Sequence, residues 1–303
     1  MTVSVVLPTC ERAEVLDGAI ESVLAQTHED WELVVVDGGS DDRTPELVAG
    51  YDDPRVRYRR QDDSSGVSAA RNRGVAASDG EFVAFVDSDD RWHPEKLEWQ
   101  LAALREAEGE EGKDAAVAYC GMEKAHGEPL TRDGESGDVR EAVRRMDVPT
   151  YTSTLLVRRD AFESVGGFDE RLPCFEDWEL CLRLSREYRF VAVDDALVVK
   201  GESGDNISAD GDNLAEAVSV LAEEYELPAA TWAQLLADVG RTYCESGRLD
   251  AGRPYLRQAL RLDPTRYHAA AALLFSAPGS PRAFDAAMEA VYAVERRAEA
   301  VGE

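Results

Sequence analysis

The segment that most constrains the fold runs from Phe82 to Pro94, with the sequence FVAFVDSDDRWHP. Five apolar residues lead directly into three carboxylates, Asp87, Asp89 and Asp90. An unbroken apolar run of this length predicts a strand buried on both faces, as in a parallel sheet covered by helices. The acids would then follow its carboxyl end, where open α/β sheets bind ligands. Crowded like charges favour a bound divalent cation with a diphosphate on its far side, whereas the simpler interpretation is an acidic turn with Asp90 as a helix cap.

Strands and helices alternate through the first hundred residues. The predicted strands cover residues 2–7, 31–36, 56–59 and 82–86. The predicted helices cover 15–24, a segment through Leu47, a segment opened by Ser64, Ser65 and Gly66 and running through Ala76, and a segment that starts at Pro94. This order predicts an α/β fold with a mostly parallel sheet flanked by helices. Neither GxGxxG nor GxxxxGK[ST] is present, which excludes a dinucleotide fingerprint and a phosphate-binding P-loop.

Polar residues follow three of these strands. Thr9 and Glu11 come after the first strand, Asp37 after the second, and Asp87 and Asp89 after the fourth. Because the carboxyl ends of neighbouring parallel strands meet at one edge of a sheet, we expect these side chains to share one cleft.

The bulk composition limits the partners and the compartment. With 303 residues, 44% of them hydrophobic, the chain has enough apolar surface for one or two folded domains. Its formal net charge of −28 argues against nucleic acid as a partner, because phosphates would be repelled. A halophilic cytoplasm would account for this charge, and a very acidic mesophilic protein is the alternative. The five cysteines form no CxxC pair, and the sequence has no signal peptide or long apolar run, so we expect reduced thiols and a cytoplasmic location.

Four segments together resemble a known family. They are VSVVLPTCER at 3–12, ELVVVDGGSDDRT at 32–44, SGVSAARNRG at 65–74 and FVAFVDSDDRWHPEKL at 82–97. In this order and spacing they resemble the nucleotide-binding half of the family 2 glycosyltransferases, which have the GT-A fold, a Rossmann-like sheet with one nucleotide and acceptor cleft. The resemblance implies a catalytic domain over residues 1–210, with a nucleotide half at 1–104 and an acceptor half at 115–210, followed by a helical region at 211–303.

The resemblance assigns roles to the polar residues at the strand ends. Asp37 would hydrogen-bond the base, usually uracil, and the alternative is turn formation before Gly38. Pro8 and Thr9 would line the base and ribose pocket, with Glu11 as a weaker candidate. Arg71 lies in a helix whose first turn could face the diphosphate, and the alternative is an ordinary surface arginine.

The resemblance also implies a metal site. Asp89 would ligate Mg²⁺ or Mn²⁺ directly, and Asp87 would contact the ribose or a metal-bound water. Many family members carry a histidine near the end of this domain, but here Lys200 occupies about that position. A protonated ammonium cannot ligate a metal, although it can pair with a phosphate. The metal dependence is therefore less firmly implied than the fold.

The acceptor half contains a second acidic motif. Glu176 and Asp177, in the segment CFEDWEL, resemble the family's ED motif at the start of a helix, and the general base is carried onto Asp177. The simpler interpretation is helix capping. A partly buried acid there could have a near-neutral pKa and take the proton of an acceptor hydroxyl. The resulting expectation is an inverting transfer from a nucleotide-diphosphate sugar, with UDP as the expected nucleotide, to a glycan, lipid-linked or protein acceptor.

Two other functions remain open from the residues alone. A sugar nucleotidyltransferase has a similar sheet, but it usually carries a glycine- and lysine-rich loop that PTCERA at 8–13 lacks. A non-catalytic adaptor on a degenerate transferase scaffold is the other alternative. The presence of Asp37, Asp87, Asp89 and Asp177 together argues against it.

The C-terminal region differs in composition. Residues 229–303 hold nine arginines and nine acids, so the negative charge lies in residues 1–228. Residues of about 232–264 resemble one tetratricopeptide-type helix pair with Gly247 at the turn, and further helices are predicted at 266–275 and 281–298. Arg253, Arg257 and Arg261 would form a basic stripe. This stripe could dock on an anionic membrane surface at the inner face of the membrane or on an acidic partner, or it could be a solvated face or an intramolecular clamp.

Overall fold

The computed structural model describes residues 1–61, 66–109, 112–131, 134–201 and 210–276, together with Phe284 and Met288. The chain divides into two compact units. The first contains Met1–Glu170 and Phe175–Gly204, and the second contains Arg171–Cys174 and Asp205–Glu303.

The first unit is built on one eight-stranded sheet. Its strands are β1 (Val3–Thr9), β2 (Trp31–Asp37), β3 (Val56–Arg60), β4 (Phe82–Phe85), β5 (Arg91–Trp92), β6 (Ala115–Lys124), β7 (Leu156–Arg158) and β8 (Arg189–Lys200), in the spatial order β3-β2-β1-β4-β7-β6-β8-β5. Four of the seven pairings between these strands are parallel. The predicted α/β class with a mostly parallel sheet is confirmed. The pairings of β7 with β4 and β6, and of β5 with β8, are antiparallel.

Helices cover both faces of this sheet, as the apolar strands require. They are α1 (Ala13–Leu24), α2 (Thr44–Ala49), α3 (Val67–Ala76), α4 (Lys96–Glu106), α5 (Arg140–Arg144), α6 (Arg159–Ser164) and α7 (Glu176–Glu187). Every residue of β1 and of β4 is buried, which fits strands enclosed on two sides. Between Val6 and α3 the space is so small that a side chain at Gly74 would overlap the valine.

Several element boundaries differ from the sequence predictions. The helix predicted from Ser64 begins at Val67, and Ser64 and Ser65 lie outside the described residues. The helix predicted from Pro94 begins at Lys96. The segment STLLV at 153–157 also predicts a strand from its sequence, but the structure has a 3-10 turn at Thr152–Thr154 followed by β7. The turn forms because its carbonyl and hydroxyl groups make hydrogen bonds with side chains near Asp87, Asp89 and Asp90, called the acidic motif after β4. These bonds are described below.

The second unit is helical in its described residues. It contains α8 (Gly211–Glu224), α9 (Ala229–Glu245), α10 (Leu249–Leu262) and α11 (Tyr267–Ser276). Gly247 has φ of +80° and joins α9 to α10. A side chain at Gly252 would overlap the Gly240 carbonyl oxygen, so the glycines allow these two helices to approach closely. The helix predicted over 281–298 lies outside the described residues except for Phe284 and Met288, which are buried.

Two further expectations concern the whole chain. Among the described residues, no helix is both long and apolar enough to cross a membrane. All five cysteines lie in the described ranges and are free thiols.

Candidate active site

Asp37, at the end of β2, is held inside a polar loop. Its side chain is fully buried and accepts hydrogen bonds from the Ser40 hydroxyl at 2.6 Å and from the Ser40 and Gly39 backbone N–H groups at 2.9 and 3.1 Å. The Tyr58 hydroxyl donates to its other carboxylate oxygen. Burial and the Asp37 charge raise the pKa of Tyr58 to about 12. The predicted base-binding carboxylate therefore already carries a full set of intramolecular partners.

Thr9 and Glu11 frame the same loop from β1. Pro8 and Thr9 are buried at the end of β1, which lies between β2 and β4, and the Thr9 hydroxyl has no hydrogen-bond partner among the described residues. Glu11 has φ of +53° and accepts a hydrogen bond from the Asp41 N–H at 2.6 Å. A positive φ at a non-glycine residue stores strain that surrounding contacts must hold in place.

The three acids after β4 have different surroundings. Asp87 and Asp89 keep 39% and 18% of their side chains exposed, and Asp89 lies 3.5 Å from the Arg12 guanidinium. Asp90 is buried, accepting from the Ser153 hydroxyl at 2.5 Å and from the Gly201 N–H at 2.9 Å. Burial, with the nearby Asp87 carboxylate, raises the pKa of Asp90 to about 7. The prediction that Asp90 caps the next helix is wrong, because α4 starts six residues later and Asp90 instead ties two loops to the acidic motif.

The 3-10 turn at Thr152–Thr154 contacts the acidic motif after β4 through the Ser153 hydroxyl. The Ser153 hydroxyl accepts a hydrogen bond from the Asp87 N–H at 3.1 Å while donating to Asp90. Two side chains stabilise the turn. The Trp92 indole N–H donates to the Ser153 carbonyl at 3.0 Å, and the Gln100 amide donates to the Thr154 carbonyl at 2.7 Å. Ser153 therefore fixes the backbone from which Asp87 projects.

Arg71 connects the two acidic motifs. Only 3% of its side chain is exposed, and its two terminal nitrogens donate to Asp87 at 2.6 Å and to Glu176 at 2.7 Å. The two flanking carboxylates raise the pKa of Arg71 despite its burial. The predicted phosphate-binding arginine is thus a bridge between Asp87, after β4, and Glu176, at the start of α7.

Asp177 follows Glu176 in the first turn of α7. Its side chain is partly buried, and its carboxylate accepts the Trp178 N–H at 2.7 Å. Burial and the Glu176 charge together raise the pKa of Asp177 to about 7, while the Arg71 charge opposes the shift. Phe175, just before the helix, has φ of +64°. The strained residue fixes the direction in which the helix and its two acids begin.

Lys200, the last residue of β8, lies at the edge of the acidic motif. A side chain at Gly201 would overlap the Asp89 carbonyl oxygen, so the end of β8 packs directly on the backbone of Asp89. The Lys200 ammonium lies 5.4 Å from the centroid of the Tyr151 ring, and Tyr151 is 41% exposed. The backbone at Lys200 therefore lies next to Asp89, the residue predicted to bind the metal.

The acidic residues suit a divalent cation that is shared with a ligand. Asp87 and Asp89 offer partly exposed carboxylate oxygens, the donor type that Mg²⁺ and Mn²⁺ prefer. No group of three or more histidine, cysteine, aspartate or glutamate residues in the described ranges could hold a metal alone. The site therefore fits an ion for which the protein provides one or two oxygens and a diphosphate provides others.

Two residues beside the acidic side chains, Arg12 and Ser153, have roles that depend on contacts distant in sequence. Arg12 reaches Asp89 across 77 positions, and Ser153 reaches Asp90 across 63. Neither carries a motif. The only available signal was indirect: Ser153 falls in a polar triplet, TST, placed immediately before an apolar run.

Comparison with protein families gives a match over the first unit. The model for glycosyl transferase family 2 matches residues 4–166. The chain is 37% identical over 106 residues to the putative teichuronic acid biosynthesis glycosyltransferase TuaG of Bacillus subtilis, a match covering 34% of this chain and 42% of TuaG. It is 27% identical over 192 residues to an uncharacterized glycosyltransferase of Rickettsia typhi, covering 61% of this chain and 58% of that protein. The chain thus spans about half the length of these curated relatives.

Solved structures show the same fold. Residues 1–349 of S. aureus TarS, in complex with UDP-GlcNAc, match with a TM-score of 0.65 and 20% identity, covering 96% of this chain and 92% of that one. The mannosyltransferase PcManGT from Pyrobaculum calidifontis, in complex with GDP-Man and Mn²⁺, matches with a TM-score of 0.56 and 17% identity, covering 94% and 85%. At these identities the similarity establishes the fold alone. The first unit therefore has the GT-A fold.

The family follows from the sequence match. Since the family model covers more than half of the chain, the chain belongs to glycosyl transferase family 2.

Proposed function

We propose that this protein transfers a sugar from a nucleotide-diphosphate donor, with a UDP-sugar as the expected donor, to a hydroxyl acceptor in glycan assembly, with inversion at the anomeric carbon. The observation that carries the proposal is the Arg71 bridge between Asp87 and Glu176, which lie 89 residues apart in sequence. This contact brings the acidic motif after β4 beside the acidic motif that opens α7. One relative named above, TuaG, carries the name of a glycan-biosynthesis glycosyltransferase and supports the reaction class.

The donor would bind along the carboxyl ends of β1, β2 and β4. Pro8, Thr9, Glu11 and Asp37 would line the region assigned to the base and ribose, where the buried Thr9 hydroxyl has no hydrogen-bond partner among the described residues. Asp37 would have to exchange the Ser40 or Tyr58 hydroxyl for the base. Asp89 and Asp87 would hold Mg²⁺ or Mn²⁺, which supplies positive charge that stabilises the departing diphosphate. Lys200 would pair with a phosphate oxygen.

Asp177 would act as the general base. Its carboxylate takes the proton from the acceptor hydroxyl while that oxygen forms a bond to the anomeric carbon. The bond between the anomeric carbon and the phosphate oxygen breaks on the opposite face, and the nucleoside diphosphate leaves with the electron pair. One displacement inverts the anomeric configuration and requires no covalent intermediate. The adjacent Glu176 is fixed by Arg71 at the same edge of the sheet.

The donor site is tested by thermal unfolding with UDP and a panel of UDP-sugars, with and without Mn²⁺ or Mg²⁺, at high salt. We expect the wild type to gain stability only when nucleotide and metal are both present. Asp89→Asn should abolish this gain, because the amide cannot replace a negatively charged metal ligand. The proposal fails if no nucleotide stabilises the wild type, and release of pyrophosphate instead of UDP would indicate a nucleotidyltransferase.

The base is tested separately with Asp177→Asn. This variant should keep the nucleotide-dependent stabilisation and lose at least ~100-fold in turnover, in line with the ~10²–10⁴-fold contribution of general acid–base catalysis. Asp160→Asn is a matched control, since Asp160 also accepts the N–H of the next residue in a first helical turn, at 2.8 Å. Near-normal turnover in Asp177→Asn would eliminate Asp177 as the base.

A further inference from the structure

Two adjacent residues of α3, Arg71 and Asn72, form hydrogen bonds to the acceptor half of the first unit. Arg71 donates to Glu176 at the start of α7, as described above. Asn72 forms a reciprocal pair of hydrogen bonds with the backbone of Phe168: its amide donates to the Phe168 carbonyl at 2.9 Å, and the Phe168 N–H donates to its carbonyl oxygen at 2.9 Å. The Asn72 amide also donates to the Glu170 carboxylate at 3.0 Å.

The loop held by Asn72 also packs against the strand that carries the acidic motif. The Phe168 ring meets the Phe85 ring edge-on, with the centroids 5.0 Å apart, and Phe85 is the last residue of β4. The Arg71 guanidinium lies 5.3 Å from the Phe168 ring centroid. A side chain at Gly167 would approach the Asn72 carbonyl oxygen to 2.7 Å, so the loop has no room to shift toward α3. Asp87, the loop and Glu176 therefore form one packed assembly around Arg71.

Arg71 is poorly placed to leave this assembly for a ligand. Both terminal nitrogens are engaged by carboxylates, and the side chain is 97% buried. Withdrawing the guanidinium would leave Glu176 as an unpaired, mostly buried charge, which is costly. The planar guanidinium of Arg71 also donates to two carboxylates at once in fixed directions, which the single ammonium of a lysine does not.

We propose that Arg71 and Asn72 are positioning residues that set the distance between the metal-binding acids and the general base. Arg71 joins Asp87 to the residue preceding Asp177, and Asn72 fixes the loop that packs beneath both. The role assigned to Asp177 rests on the proposed function. In this proposal Arg71 acts through the carboxylates it holds and not through direct contact with the diphosphate.

The variants Arg71→Lys and Asn72→Ala test this role. Each should bind UDP with Mn²⁺ within about twofold of the wild type, because the carboxylates that meet the ligand remain. Turnover, measured as UDP release from the donor found in the nucleotide screen, should fall about 10- to 100-fold, because displacement of a catalytic group by about 1 Å costs that much. In Asn72→Ala, amide hydrogen exchange across residues 166–170 and 176–180 should accelerate without any ligand.

Arg159→Lys is the matched control. Arg159 is a partly buried arginine with several hydrogen bonds, to the Gly80 and Val75 carbonyls and to the Ser4 and Ser78 hydroxyls, but it lies at the amino ends of β1 and β4. Its replacement should lower thermal stability and leave turnover per folded molecule and UDP affinity unchanged.

Three results separate this proposal from the proposed function. Loss of UDP affinity equal to the loss of turnover in Arg71→Lys would make Arg71 a phosphate contact and overturn its positioning role. Near-normal turnover in both variants would overturn the proposal outright. If the wild type itself binds no UDP, the proposed function fails. The positioning role of Asn72 is then tested by hydrogen exchange at residues 166–170 and 176–180, and an unchanged exchange rate in Asn72→Ala refutes that role.

Discussion

The protonation state of Asp177 links its burial to the rate of the proposed reaction. Only the ionised carboxylate can accept a proton, and burial raises the pKa of Asp177 to about 7. Turnover should therefore rise about tenfold per pH unit below pH 7 and level off above it. The groups that set this pKa are Glu176 and Asp87, which raise it, and Arg71, which lowers it. Initial rates of UDP release between pH 5.5 and 9 measure the profile.

The control for this profile is the variant Asp177→Asn. Its residual activity should lack the inflection near pH 7, because the titrating base is absent. An inflection that persists in this variant would show that another group limits the rate.

Gly201 is required for steric reasons and not for backbone freedom. Because a side chain there would overlap the Asp89 carbonyl oxygen, Gly201→Ala should displace the backbone of the predicted metal ligand. We expect the apparent affinity for UDP in the presence of the metal, measured from thermal stabilisation, to fall at least tenfold. Gly50→Ala serves as the control, since its new methyl group would meet only the Leu47 and Glu46 carbonyl oxygens, at 3.2 and 3.7 Å. Equal affinity in Gly201→Ala and wild type would show that the Asp89 backbone adapts without cost.

Residue type and strand position indicated Asp37, Asp87 and Asp89 as candidates, but not their partners. Asp177 was assigned through the resemblance of its segment to the family's ED motif. The contact of Arg71 with Glu176 spans 105 positions and carries no local signal. The burial of Asp90 was missed for the same reason, since its partners Ser153 and Gly201 lie 63 and 111 positions away.

At the level of elements, apolar runs predicted β1, β2 and β4 better than the strands of the acceptor half. β4 is a continuous apolar strand and β1 and β2 are mostly apolar, whereas β8 contains Asp194 and Asp195 and has register shifts against β6. The reversal of β7 between β4 and β6 depends on long-range pairing, which residue periodicity cannot indicate.

The close approach of α9 and α10 makes a prediction about the second unit. In Gly252→Ala the added methyl group would overlap the Gly240 carbonyl oxygen and approach the Cys244 sulfur to 2.7 Å. Overpacking of this kind costs about 1–3 kcal/mol, so we expect a lower thermal midpoint for the helical unit. Gln258→Ala, at an exposed position of the same helix, is the control. An unchanged midpoint in Gly252→Ala would mean that the two helices separate without loss.

The basic stripe predicted on α10 is only partly available for contacts. Arg253 donates to Asp250 and to the Ser276 hydroxyl and carbonyl, so it ties α10 to the end of α11. Arg257 and Arg261 are exposed. Docking on an anionic membrane surface or an acidic partner therefore remains a prediction for these two arginines.

For the whole molecule, the formal net charge of −28 predicts stabilisation by salt. Mutual repulsion among surface acids opposes the compact state, and dissolved ions screen it over ~10 Å at 0.1 M and ~3 Å at 1 M. The thermal midpoint should rise with KCl, most steeply below about 0.5 M, where the screening length changes most. A rise that begins only at molar salt would indicate exclusion of salt from the surface instead of screening, and a falling midpoint would contradict the prediction.

The distribution of the five thiols has a practical consequence. Cys10 is exposed at the end of β1 beside the loop of Asp37, whereas the other four cysteines are buried. Burial and the charge of Asp37 raise the pKa of Cys10, so labelling calls for mildly alkaline conditions. A maleimide fluorophore should therefore attach at one place without engineering, and its emission would report nucleotide occupancy in the unmodified sequence.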